Sequence, residues 1–148
     1  MKIKDEWWTA PTLADNGNTI IVTGRDGVQE AIDSGKYTDR IEISWHYQAD
    51  ATGMPIEEDA KLIGEVDDAL REAFRKEKAC ILTGIYTGDG RRDWIVYTKN
   101  PRIFNAVLNK ALGEFPLLPL ELYAEKDPDW AEYREMRDLT YIPPSEAD

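Results

Sequence analysis

Ile41-Glu42-Ile43-Ser44-Trp45-His46-Tyr47 alternates apolar and polar side chains without a break. A period of two marks a strand with one buried face, so Ile41, Ile43, Trp45 and Tyr47 point one way and Glu42, Ser44 and His46 the other. Residues 40–48 are therefore expected as a half-buried strand. Downstream, Gly53-Met54-Pro55 breaks the chain, and Pro55 suits a helix opening. Ile56, Ala60, Ile63, Val66, Leu70 and Phe74 then recur at spacings of three and four. That spacing predicts an amphipathic helix of about six turns. Glu57, Glu58 and Asp59 stand at its positive end and Arg75, Lys76 and Lys78 near its negative one.

Cys80–Tyr86 and Arg92–Thr98 read as two further strands, joined by the hairpin signal Thr87-Gly88-Asp89-Gly90. Asn100-Pro101 is an N-cap followed by proline at the first helical position. Ile103, Phe104, Val107, Leu108, Ala111 and Leu112 form an apolar stripe, and Gly113 is expected to stop that helix. Residues 117–124 supply a last strand with Leu118, Leu120 and Leu122 on one face. The order over 40–124 is β-α-β-β-α-β, the split βαβ pattern of a ferredoxin-like α+β sandwich. In this arrangement 40–48 is a central strand paired with both 91–98 and 117–124, and two helices cover one face. Ile43, Trp45, Ile63, Val66, Leu70, Phe104, Leu108, Leu120 and Leu122 are the expected core.

Residues 1–36 form an N-terminal β-hairpin extension. Trp7-Trp8-Thr9 and Thr19–Thr23 are β-prone, Asp15-Asn16-Gly17-Asn18 is a turn, and Ser34-Gly35 ends a short helix or turn. The hairpin either extends a sheet edge or covers the open face. Residues 125–148 are a short C-terminal clamp and tail. Asp127-Pro128 starts a helical turn carrying Trp130, Tyr133 and Met136, and Pro143–Asp148 reads as a frayed end. The whole of 1–148 is expected to be one domain.

Charge and residue counts exclude several functions. The chain has 148 residues, 29 acidic and 18 basic, a net charge of −11, one Cys and one His. That acidity opposes binding to a phosphate backbone. A lone Cys80 excludes a disulfide framework, and a lone His46 excludes a two-histidine metal site. No apolar run is long enough to span a membrane. The start, Met1-Lys2-Ile3-Lys4-Asp5-Glu6, lacks the apolar stretch of a signal peptide, so the expected location is cytoplasmic.

Arg92–Thr98, then Phe104 and Leu108, then Asp127-Pro128-Asp129-Trp130-Ala131-Glu132-Tyr133, resemble the bacterial domain-of-unknown-function family 695 (DUF695). Trp45-His46-Tyr47 ahead of Gly53-Met54-Pro55 fits the same pattern. The resemblance covers roughly residues 5–135. The family is similar, more distantly, to the ribonuclease E activity regulator B proteins. That likeness implies an acidic ferredoxin-like protein inhibitor and carries no catalytic residues.

No constellation points firmly to catalysis. Gly84, Gly88 and Gly90 lie in a hairpin that opens no helix, so they make no dinucleotide fingerprint. Ser44 and His46 share a strand face at a separation of roughly 6.5–7 Å, too far for a triad bond. Cys80 in an apolar strand is an inert thiol. Glu57, Glu58 and Asp59, and likewise Asp67 and Asp68, fan apart on a solvated helix surface. Asp127 and Asp129 flank Pro128 and are read as turn formers. No metal and no cofactor is expected. Residues 79–113 hold five basic side chains and two acidic ones, a local balance of +3 in a chain of −11.

Two readings follow. The first is a non-enzymatic protein-interaction or regulatory, inhibitor-like module, with an unknown protein partner or self-association and neither nucleic acid nor membrane. Arg91, Arg92, Lys99 and Arg102 are its candidate basic strip. The alternative is a small-molecule-binding domain or weak hydrolase on the open sheet face, where Glu42, Ser44, His46, Glu121 and Tyr123 converge if the first and last core strands are neighbours.

Overall fold

The computed structural model describes residues 2–143. The five residues after Pro143, on which most of the expected tail falls, lie outside it. Strands β1 (Trp7–Leu13) and β2 (Thr19–Arg25) form the N-terminal hairpin, followed by α1 (Gln29–Ser34) and β3 (Asp39–His46). Then come α2 (Glu57–Lys76), β4 (Cys80–Gly88), β5 (Arg91–Thr98), α3 (Pro101–Ala111), β6 (Leu120–Lys126) and α4 (Ala131–Thr140). The fold is a mixed α+β one: a six-stranded sheet of order β1-β2-β4-β5-β3-β6 and, among the described residues, four helices. Every neighbouring pair of strands is antiparallel. β3 lies between β5 and β6, as the β-α-β-β-α-β order implies. The hairpin extends the sheet edge, with β2 pairing β4.

Local chemistry accounts for most boundaries. The Asn100 side chain accepts from the backbone N–H groups of Arg102 and Ile103, and Pro101 opens α3. Gly35 caps α1 in the left-handed region. The β4–β5 turn needs positive φ at Gly88, Asp89 and Gly90; the two glycines supply it without strain, and Asp is among the residues that tolerate the left-handed region. Several boundaries differ from the sequence expectation, among them β3, which ends at His46, and β4, which runs on to Gly88. Pro55 forms an isolated bridge with Ala49, and α2 begins only at Glu57, with Ile56 as its cap. α3 ends at Ala111 with Leu112 as its cap, so Gly113 follows the cap directly, as expected. β6 starts at Leu120 because Pro116 and Pro119 interrupt the backbone donors before it.

The sheet is covered on both faces, but the two covers are offset. α2 and α3 pack Ile63, Val66, Leu70, Phe74, Phe104 and Leu108 on Ile41, Ile43, Trp45, Trp94 and Val96. On the other face α1 and α4 place Ala31, Ile32, Tyr133 and Met136 against Trp8, Val22, Ile95 and Tyr97. The first cover reaches the hairpin where Arg71 lies over Trp7, and the second leaves the other face open at His46 and along β6. Leu122 pays no part in the core: it sits opposite fully buried Ile43, yet is 52% exposed. Among the described residues Leu122 belongs to neither buried cluster, although Leu120 two residues before it packs against the first. Leu120 is only partly buried.

Trp130 pins the C-terminal helix. Its ring stacks on Tyr97 with centroids 4.0 Å apart, and its indole N–H donates to the Tyr37 carbonyl at 2.9 Å. Asp127 organises this start by accepting from Tyr97 Oη at 2.6 Å and from the Ala131 and Glu132 backbone N–H groups. Trp130 itself has φ of 56°, an unfavourable region for a bulky residue, and these contacts hold it there.

Candidate functional site

The open face of β3 and β6 carries the polar half of the alternation. Register places Glu42 opposite Tyr123 and Ser44 opposite Glu121, so these four side chains share a face. His46 continues the row, with Nε2 3.7 Å from Glu121. Ser44 Oγ donates to Glu42 at 3.4 Å and not to His46. Glu42 also meets Arg40 at 3.4 Å and Arg91 at 3.7 Å, and Tyr123 Oη donates to Glu125 at 3.3 Å. The arrangement holds no nucleophile next to a base, because the one serine is turned towards a carboxylate. His46 is more than half exposed.

Two members of this face stand out that the sequence reading did not single out. Arg40 is 7% exposed and Asp93 only 3%. Asp93 binds Arg91 through Oδ2 at 3.0 Å, while Asp93 Oδ1 and Arg40 Nε have no hydrogen-bond partner. Burial pushes the Asp93 carboxyl above the usual carboxylate range, more than Ser44 and Arg91 together lower it. The signal was parity: Arg40 and Asp93 share the polar rows of Glu42 and Arg91.

Arg91, Arg92, Lys99 and Arg102 do not form one surface. Arg91 lies on the open face beside Asp93, whereas Arg92 lies on the α2 face. Lys99 is at the opposite end of β5, with Nζ 5.7 Å from the Tyr37 ring centroid, and Arg102 is in the first turn of α3.

Asp67 corrects the reading of α2 as bearing only solvated acids. It is buried, and its Oδ1 accepts from Trp94 Nε1 and Arg92 Nη2, each at 2.8 Å. Oδ2 accepts from Arg71 Nε, also at 2.8 Å. Burial alone would raise this carboxyl. Arg92, Trp94 and Arg71 outweigh it and hold Asp67 below the usual range. Its position was readable, because Ile63, Val66, Asp67 and Leu70 fit the i, i+3, i+4, i+7 pattern of a buried stripe. Cys80 is buried and burial pushes its thiol up, away from the reactive thiolate. Among the described residues, no group of three or more His, Cys, Asp or Glu side chains is placed to hold a metal ion, and no helix is long and apolar enough to cross a membrane.

These features define an α+β protein with an antiparallel six-stranded sheet and an ionic, half-open sheet face. The model of a family of unknown function, DUF695, matches residues 5–136, and the chain belongs to that family. No curated protein and no solved structure matches it significantly.

Proposed function

We propose that the chain is a non-enzymatic, cytoplasmic protein-interaction module, regulatory in the manner of an inhibitor, which engages its partner along β6 and the adjoining open face. One observation carries this reading. Among the described residues no strand pairs with the outer edge of β6, Leu122 and Tyr123 are 52% and 58% exposed on its two faces, and Leu117 beside it is fully exposed. Unpaired edges with apolar side chains are sites where an extended partner segment adds a strand. The opposite edge, β1, carries Pro11, which removes a backbone donor, whereas β6 has no proline. Glu121 and Glu125 on β6, and the net charge of −11, favour a basic partner and disfavour nucleic acid.

The order β3-α2-β4-β5-α3-β6 supports calling this core ferredoxin-like. It is also compatible with the distant likeness to ribonuclease E activity regulator B proteins, and an acidic inhibitor that mimics nucleic acid toward a nuclease is one specific form of the proposal. The test is affinity capture from the native host with the wild type and with Leu122→Glu/Tyr123→Glu, both changes being on exposed side chains. A partner retained by the first and lost by the second, at unchanged circular dichroism, is the expected result. Identical captured proteins from both baits would sink it.

A second reading, a small-molecule-binding domain or weak hydrolase around His46, is favoured by the unpartnered Asp93 Oδ1 and Arg40 Nε on the same face. His46→Gln keeps hydrogen-bonding capacity and cannot titrate. An activity that this variant retains between about pH 5 and 8 excludes proton transfer by His46.

A further inference from the structure

One end of this acidic molecule is crowded with cations. Residues 2–5, the last turn of α2 and the start of β4 enclose a cleft of about 350 Å³. Lys2, Lys4, Arg25, Arg75, Lys76 and Lys78 line it, against Asp5 and Glu77. Arg75 and Lys76 both bind Glu72, at 2.9 and 3.1 Å. Counting Glu72 among the acids, six positive charges face three negative ones, in a chain whose net charge is −11. A second groove of about 250 Å³ shares Asp5, Arg25 and Arg75 and runs between Trp7 of the hairpin and Asp68, Arg71 and Glu72 of α2.

Arg25 is the centre of the cleft. It is 7% exposed, and its guanidinium donates only to uncharged oxygens, the carbonyls of Lys4 at 2.8 Å and Leu82 at 3.2 Å. Among the described residues no carboxylate forms an ion pair with it, although buried charges are normally paired. The charge of Asp5 acts on it without an ion pair, and Asp5 is held by the Trp7 indole N–H at 2.6 Å. Arg25 and Arg71 both lie over the Trp7 ring, at 4.8 and 5.0 Å from its centroid. Asp67 neutralises Arg71, and nothing does the same for Arg25. Phe74, Ile81 and Tyr37 provide apolar wall beside these cations.

We propose that this cleft binds a small phosphate monoester with an apolar or aromatic body. Arg25, with Lys4 and Lys78, takes the phosphate, and Phe74 and Ile81 take the body. A surplus of three positive charges suits a dianion better than a single carboxylate, and a guanidinium fork matches phosphate oxygens. The volume falls in the range of small-ligand sites, about 300–1,000 Å³, and is too small for a polymer. This site is independent of the β6 edge.

The probe is phenyl phosphate, titrated calorimetrically into the full chain at low salt, with phenol, benzoate and inorganic phosphate in parallel. Saturable binding of one phenyl phosphate is expected, with benzoate and inorganic phosphate weaker and phenol silent. Arg25→Met risks the fold, so the decisive variant is Lys4→Glu/Lys78→Glu, which alters two exposed side chains. It should keep the unfolding midpoint and weaken phenyl phosphate at least about tenfold. No saturable heat up to about 10 mM, affinity unchanged in the double variant, or benzoate equal to phenyl phosphate would each overturn the proposal.

Discussion

Asp67→Ala removes the one carboxylate that ties α2 to β5, and its cost follows from what is left behind. Trp94 is fully buried, so its indole N–H loses its acceptor with no water to replace it, a penalty of about 1–3 kcal/mol. The Arg92 side chain is 16% exposed and loses its only counter-ion, while keeping Thr87 Oγ1 at 2.7 Å. Breaking a buried pair on one side costs about 3–5 kcal/mol, and that range already contains much of the tryptophan penalty. The Arg71 pair is 39% exposed on the arginine side and adds little. The expected loss is therefore about 3–5 kcal/mol, out of roughly 5–15 for a domain of this kind. Urea unfolding followed by tryptophan fluorescence measures it. Asp67 is held below its unfolded value, so its contribution is present above about pH 4 and is lost as pH falls through the lowered folded value. Asp67→Ala should accordingly flatten the acid limb of the stability profile. In a cycle with Trp94→Phe, the double variant should lose less than the sum of the singles. A loss below about 1 kcal/mol, or an unchanged acid limb, would falsify the role assigned to Asp67.

Phe104→Ala should destabilise by about 3–5 kcal/mol in the same assay, since the ring is fully buried and stacked on Phe74 at 5.6 Å; a loss under about 1 kcal/mol would contradict the packing of α3. Gly24→Ala would set a Cβ 2.1 Å from the Trp8 ring, so Trp8 must leave its seat and its bond to Thr140. A cost of about 1–3 kcal/mol and a changed Trp8 environment in near-ultraviolet circular dichroism are expected, and a neutral outcome would refute the contact. Asp93 is raised in the fold, so its ionised form weakens folding, and that penalty grows as pH rises from the unfolded value near 4 through the higher folded one. Asp93→Asn should therefore gain on the wild type between about pH 3 and 6, and a pH-independent difference would refute the assignment.

The core topology was legible because it is written in periods and punctuation. The alternation of Ile41 to Tyr47, the stripe of α2 and the Asn100-Pro101 cap each specify an element locally, and the β3–β5 and β3–β6 pairings follow from their order. Alternation also put Glu42, Ser44, His46, Glu121 and Tyr123 on one face. It tells parity, however, and not coverage. Leu122 has the parity of the core and lies half exposed, outside both buried clusters. Asp67 was misread because its charge outweighed its place on the apolar stripe. Arg25 gave no signal, since its burial arises from the meeting of the N-terminal segment with β4, far apart in sequence.

The offset covers of the sheet also set the order in which a chain made from the N-terminus can close. The face under α2 and α3 has all its buried residues by Leu108. The opposite face waits for Trp130, Tyr133 and Met136, and its longest tie, Trp8 to Thr140, spans 132 residues. Until those residues are synthesised, Trp8, Ile95 and Tyr97 have only the part of their cover that α1 supplies. A growing chain thus passes through a stage with one finished face and one adhesive one, the stage at which binding by a chaperone, or capture by another unfinished copy, would compete with α4 for the same surface.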